Sequence, residues 1–242
     1  MSAGKILLWI IIPYAAIAIF IVGHWWRYHS DQFDWTSRST QLLDRRILGW
    51  ASPMFHYGAL AAVGGHLIGL VFPASFTASI GISEQAYRWI AAIAGGIAGL
   101  VTAIGFVGLV YRRITSDRVR RNTTRIDFLT YLLITVLIGL GCYMTFGYNL
   151  LSHAAYNYRP TIGQWWRSIF YLQPDVSAVA GAPLIYQLHA IIAWLFWASF
   201  PFSRLVHAWS VPIQYLGRPY IIYRRRYPAA PWSTRGAPYR GR

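Results

Sequence analysis

Four histidines carry the chemistry available to this sequence. His189 and His207 lie in one apolar run, and His56 and His66 lie in another. Eighteen positions separate His189 from His207, about five turns of a 3.6-residue helix, so a continuous helix places both imidazoles on one face. An ionisable side chain inside a run of membrane length is expensive, and marks a functional site by default. Two runs crossing a bilayer in opposite directions pair His56 with His207 and His66 with His189 by depth. Two bis-histidine sites stacked across the membrane are what an electron path through two b-type haems requires. Ligation by two histidines leaves iron no open position, which suits electron transfer rather than oxygen binding. The bland alternative is four unrelated histidines satisfied by neighbouring helices. Metal transport would bring carboxylates into the spans, and only Asp127, at the edge of one, is available. Cys142 is the only cysteine, which excludes an internal disulfide, an iron–sulfur site and a structural zinc site. No C-x-x-C-H occurs, which excludes covalent c-type haem.

The elements that must hold these histidines are membrane helices. The chain of 242 residues is 56% hydrophobic and only 12% charged, too apolar for a soluble domain of this size. Five runs are long enough to span a hydrocarbon core of roughly 30 Å: 6–23, 47–72, 89–111, 126–148 and 183–209. The sequence therefore predicts an all-α integral membrane protein of five transmembrane helices over residues 1–210, followed by a basic tail over 211–242. The first run, preceded by Lys5, is longer than a signal-peptide core and has no clean cleavage site, so it reads as a span.

Charge sets the orientation. The net charge is +15, almost all of it arginine, since Lys5 is the only lysine. The arginines lie between the apolar runs, which favours the positive-inside rule over nucleic-acid binding. Connection 112–125 holds six arginines against one aspartate, connection 24–46 and the tail are also arginine-rich, and 73–88 and 149–182 are poor. This alternation places the N-terminus outside and the tail in the cytoplasm, where it reads either as an anchor on anionic lipid or as a docking strap for a partner.

Local features refine the picture. Along the helix axes the histidines are about 15 Å apart on the second span and about 27 Å on the fifth, and His56 and His66 differ by about 80° in azimuth. Tilted haems, or a break at Pro201, would absorb the mismatch. Pro53 fits a first helical turn. Gly58, Gly64, Gly65 and Gly69 read either as helix-contact glycines or as room for a flat cofactor. Segment 149–182 reads as an interfacial aromatic belt with a short helix around 162–171. His24, His29 and His153 lie at membrane boundaries and read as interfacial residues rather than ligands.

The motifs HWWRY (24–28), TQLLDRR (40–46), MFHYG (54–58), GGHLIGL (64–70), SDRVRRNTT (116–124), LHAII (188–192) and PFSRLVHAWSVPIQYLGRPY (201–220) resemble those of the gamma subunit of respiratory nitrate reductase, a membrane cytochrome b. The resemblance covers nearly the whole chain and implies axial ligands at His56 and His207 for a proximal haem b and at His66 and His189 for a distal one. It implies quinol oxidation at the outer side with proton release there, and electron delivery to an iron–sulfur beta subunit and a molybdenum alpha subunit on the cytoplasmic face. It places the chain in the cytoplasmic membrane as a multi-pass protein. The quinol site it implies falls near Gly65, His66, Tyr87 and Arg88. Familiar members carry a lysine there, whereas SEQAYRWI (83–90) has none, so Tyr87 or Arg88 is expected to hydrogen-bond the quinol. Arg112, Arg113 and Arg204 are candidates for haem propionates, against the simpler reading as topology-setting charge. Two alternatives stay in view: a related dihaem subunit of a sulfite- or heterodisulfide-linked complex, and a non-redox membrane anchor.

Overall fold

Five apolar helices of membrane length carry the fold in the computed structural model, which describes residues 2–31, 33–151, 156–209 and 217. They are α1 (Ala3–Ser30), α2 (Leu48–Val71), α3 (Glu84–Thr115), α4 (Arg125–Leu151) and α5 (Leu184–Phe202). No strand occurs among the described residues. The 19 residues of α5 reach about 28 Å and the 32 residues of α3 about 48 Å, against a hydrocarbon core of roughly 30 Å. All five expected spans are present. Met1–Ser210 form one unit and Val211–Arg242 a second. Of the second only Gly217 is described, so the basic tail lies outside the described residues, as does His153.

The sequence starts and widens the helices at definite points. The Ser83 hydroxyl accepts the Ala86 N–H at 3.2 Å and caps α3. Thr124 and Asp127 cap α4 reciprocally, with the Thr124 N–H donating to Asp127 Oδ2 at 2.9 Å. α4 ends in a π-helical stretch, Tyr143–Leu151, where Asn149 Nδ2 donates to the Met144 carbonyl at 2.7 Å.

Contacts between helix ends define an up-and-down bundle. At one end, rich in arginine, the end of α3 meets the chain before α2: Arg112 donates to Thr40 and to the Asp44 carbonyl. There too the segment after α5 meets the start of α4 through Arg204 and Asp127. At the opposite end Trp165 Nε1 donates to the Trp9 carbonyl near the start of α1, Arg167 donates to the Leu70 carbonyl at the end of α2, and Arg159 pairs with Glu84 at the start of α3. The closest helix pairing is α2 on α3. A Cβ at Gly58 would lie 2.6 Å from the Thr102 nitrogen, one at Gly108 2.7 Å from the Trp50 ring, and one at Gly105 would collide with the Phe55 backbone. Small residues permit this approach where lipid gives no hydrophobic drive for helix association. α5 packs on α1 and α4, so the two histidine-bearing helices stand apart.

Three expectations need correcting. α5 does not continue to His207. Its α-helical part ends at Ser199, tightens into a 3₁₀ turn at Phe200–Phe202, breaks at an extended Ser203, and resumes as a separate 3₁₀ segment, Arg204–Trp209. Pro201 supplies the cause, because it has no N–H for a helical ladder. His189 and His207 therefore do not share one helical stripe. Second, Pro53 is inside α2 rather than in its first turn. The helix nucleates upstream, where the Ala51 N–H already donates to the Ile47 carbonyl at 3.0 Å. Third, segment 156–182 contains the expected short helix but is more than a surface belt. It folds as a π-turn (Arg159–Gly163) and two short helices (Gln164–Phe170 and Val176–Ala180). Trp165 and Ile169 are buried there, with Trp165 edge-on to Trp9 at 5.4 Å.

Candidate functional site

The four histidines meet in the two pairs that depth implied. The ring centroids of His56 and His207 are 6.0 Å apart with planes at 72°, and those of His66 and His189 are 6.0 Å apart with planes at 13°. Two imidazoles bound to one metal from opposite sides, each by a bond of about 2 Å, have centroids roughly 6 Å apart. The tautomers suit the same use. His56 Nδ1 donates to the Ser52 carbonyl at 2.7 Å, His66 Nδ1 to the Ala62 carbonyl at 2.7 Å and His207 Nδ1 to the Arg204 carbonyl at 2.6 Å. An Nδ1–H committed to a carbonyl puts the lone pair on Nε2 and fixes the ring, the usual outer support of a metal-binding imidazole. His189 Nδ1 is buried without such a partner.

The glycines of α2 divide between the two readings. Gly58 packs against Thr102, and Gly69 against the Tyr87 and Tyr158 hydroxyls, so both serve close packing. Gly64 and Gly65 have nothing within 4 Å of a hypothetical Cβ, and neither has Gly139 on α4. Across from them, a Cβ at Gly141 would lie 3.7 Å from His189 Cε1. Gly141 therefore borders the His66/His189 pair, whereas Gly64, two residues before His66, is turned about 200° from it around α2.

The other pair borders a cavity of about 530 Å³ between α2, α3 and α4, lined by His56 and His207 and by Arg45, Arg112, Arg113 and Arg204. The arginines have different partners. Arg204 is held by a bidentate fork to Asp127, at 2.8 and 2.7 Å. Burial works against its charge, but the Asp127 hydrogen bonds outweigh this and hold its pKa above the ordinary value. Arg112, buried at 3% exposure, donates only to Thr40 and to the Asp44 carbonyl. Arg113 donates to the Thr123 hydroxyl at 2.8 Å and lies 5.2 Å from the centroid of the Tyr131 ring. Neither forms an ion pair among the described residues, so two buried cations beside the cavity lack a carboxylate. Buried charge of that kind calls for an anionic partner.

The opposite end holds a network that sequence reasoning missed. Arg159, 1% exposed, donates to Glu84, to the Thr77 hydroxyl and to the Phe72 carbonyl, and stacks on the Tyr87 ring at 4.0 Å. The Tyr87 and Tyr158 hydroxyls are 3.2 Å apart. Burial pushes the Tyr158 pKa up, and its hydrogen bond to Tyr87 adds to the shift. Tyr87 thus faces Gly69, one turn beyond His66, whereas Arg88 is exposed on an adjacent face and is not brought to the cluster. Two arginines, Arg159 and Arg167, among the aromatics of a charge-poor connection were the available signal for Arg159. His24, read from the sequence as interfacial, lies near the end of α1. It is half-buried, with Phe20, Trp35, Phe200 and Trp209 around its ring. His29 is exposed.

Fold and site together define an all-helical membrane protein that carries two facing imidazole pairs. Comparison with known proteins gives the family. The family model for the nitrate reductase gamma subunit matches residues 5–226. The nitrate reductase gamma chain of Bacillus subtilis is 42% identical over 224 residues, covering 93% of this chain and 99% of the relative. The respiratory nitrate reductase 1 gamma chain of Escherichia coli is 34% identical over 218 residues, covering 90% and 96%. The nitrate reductase-like protein NarX of Mycobacterium tuberculosis is 48% identical over 220 residues, which cover 91% of this chain but only 34% of that longer protein. The chain belongs to the nitrate reductase gamma subunit family.

Proposed function

We propose that this chain is the quinol-oxidising cytochrome b subunit of a respiratory nitrate reductase, in the cytoplasmic membrane with its arginine-rich end inward. It takes two electrons from a membrane quinol at the outer end, where the two protons leave. It hands the electrons to an iron–sulfur beta subunit and a molybdenum alpha subunit on the cytoplasmic face. The observation that carries the reading is the pair of imidazole couples, each with centroids 6.0 Å apart. Each couple supplies two ligands, short of the four that a bare zinc site takes, and no cluster of three or more metal-binding side chains occurs among the described residues. Haem b, which His56 with His207 and His66 with His189 would hold, would supply a one-electron acceptor at each site.

The chain's own residues then have definite tasks. Ser52, Ala62 and Arg204 carbonyls orient three of the imidazoles. Gly65 leaves the backbone bare next to His66, and Gly141 faces His189. Arg112 and Arg113, which form no ion pair among the described residues, would hold propionates, while Arg204 is committed to Asp127. Gly65, His66 and Tyr87 lie toward the outer quinol end, and exposed Arg88 serves there only if quinol approaches from the lipid face.

A reduced-minus-oxidised spectrum of the purified complex, with haem counted per chain, tests this. The expected count is two b haems, both reduced by added quinol. Ala at His66 or His189 removes one, and Ala at His56 or His207 removes the other. A folded complex without haem, or one with haem that quinol does not reduce, overturns the proposal and favours a membrane anchor.

A further inference from the structure

The break in α5 is held by a side chain from another helix. Arg27, on α1 and 5% exposed, donates through Nη1 to the Pro201 carbonyl at 2.6 Å and to the Ser203 carbonyl at 2.9 Å. Its Nη2 donates to the Asp34 carbonyl at 2.9 Å. A broken helix leaves its last carbonyls without intrahelical donors, and here one guanidinium satisfies two of them. Four residues earlier, on the same face of α1, Gly23 admits the proline: a Cβ there would lie 2.8 Å from Pro201 Cγ. α1 thus receives the ring at Gly23 and the freed carbonyls at Arg27. The anchored Ser203 directly precedes Arg204, whose carbonyl fixes His207 Nδ1. A buried cation facing three carbonyls is costly unless its fork is needed to reach them together.

We propose that Arg27 is a positioning residue for His207: by capping Pro201 and Ser203 it sets the α5 break that carries the imidazole to His56. The inference rests on the haem-binding reading for its consequence, but not for its geometry.

The test uses the full chain in its assembled complex and two readouts. The first is the distance between spin labels at Tyr57→Cys and Ala208→Cys in a Cys142→Ser background, measured without regard to haem. The second is the haem count by reduced-minus-oxidised spectrum. Arg27→Ala should shift or broaden the label distance and lower occupancy of the His56/His207 site by roughly tenfold, the scale of lost hydrogen bonds to a charged group. Haem at the His66/His189 site should stay. Arg27→Lys, which keeps a charged donor, should recover part of both signals. If Arg27→Ala is not assembled, Gly23→Leu displaces Pro201 while keeping the arginine, and the same selective loss is expected. An unchanged label distance, or equal loss of both haems, overturns the proposal. Wild-type protein without haem defeats the reading under Proposed function, while the label distance still decides the role of Arg27.

Discussion

The two imidazole pairs use the same ligand chemistry on different supports. His66 and His189 both sit on unbroken helix, with ring planes at 13° and bare glycine backbone alongside. His207 sits on a short segment after a break, its ring at 72° to that of His56, beside a cavity with an arginine wall. The first arrangement gets its precision from helix continuity and helix packing. The second is tied to neighbouring elements by side chains, through Arg27 on α1 and Asp127 on α4. The difference teaches that the arginine-rich pair is the one exposed to single polar substitutions, whereas the opposite pair is sensitive to packing.

The largest effect that would break this comparison lies at Asp127. Its carboxylate is 1% exposed, caps α4 and accepts both arms of Arg204. Asp127→Ala leaves a largely buried guanidinium unpaired, a loss of about 3–5 kcal/mol, and frees the segment that carries His207. Thermal unfolding of the complex should show the lost stability, and the spectrum should show haem missing from the His56/His207 site first. Equal loss at both pairs would mean that the two supports are not independent.

That asymmetry explains how much of the molecule was legible in the sequence. Five spans and the depth pairing of histidines followed from apolar run length and alternating arginine content, both direct consequences of the bilayer as solvent. The mismatch between about 15 and about 27 Å of helix left tilted haems and a break at Pro201 open, and the break is present. What holds the break was not legible. Arg27 lies 174 positions from Pro201 and Asp127 lies 77 from Arg204, and neither separation carries a periodic signal. The roles of Gly58 and Gly64 were likewise undecided, because a glycine's neighbours across a helix interface leave no trace in its own run. Tyr87 and Arg88 were equivalent in sequence, and only the direction of Tyr87 toward Gly69 and Tyr158 separates them.

A pair of glycine substitutions sharpens the packing half of the comparison. Gly58→Val drives a side chain into the Thr102 backbone, where no flexible atom can yield, and overpacking of that kind costs about 1–3 kcal/mol. A Cβ at Gly65, next to His66, meets nothing within 4 Å, so Gly65→Val should leave the stability of the haem-free chain nearly unchanged. Its effect should appear only in haem binding, as lower occupancy at the His66/His189 site. Denaturation of haem-free and haem-loaded protein separates the two outcomes. If Gly65→Val destabilised both forms alike, the open backbone would be a packing surface and not a place for a cofactor.

The smallest effect concerns the covering of the opposite end. The Tyr87 and Tyr158 hydroxyls are 3.2 Å apart, and a neutral hydrogen bond contributes about 1 kcal/mol. Tyr87→Phe and Tyr158→Phe should each cost close to that, and the double variant should cost less than their sum, because each single change already removes the shared bond. Burial raises the Tyr158 pKa above its ordinary value. The folded state therefore holds the proton more tightly than the unfolded one. The stabilisation is complete below the ordinary tyrosine value near about pH 10 and is lost only as pH rises through the higher folded value. Unfolding followed from neutral pH to about pH 9 should show no change at this end. A loss of stability already at about pH 8, abolished by Tyr158→Phe, would show that the hydroxyl ionises early, and that this end is held by charge on Arg159 rather than by a neutral pair.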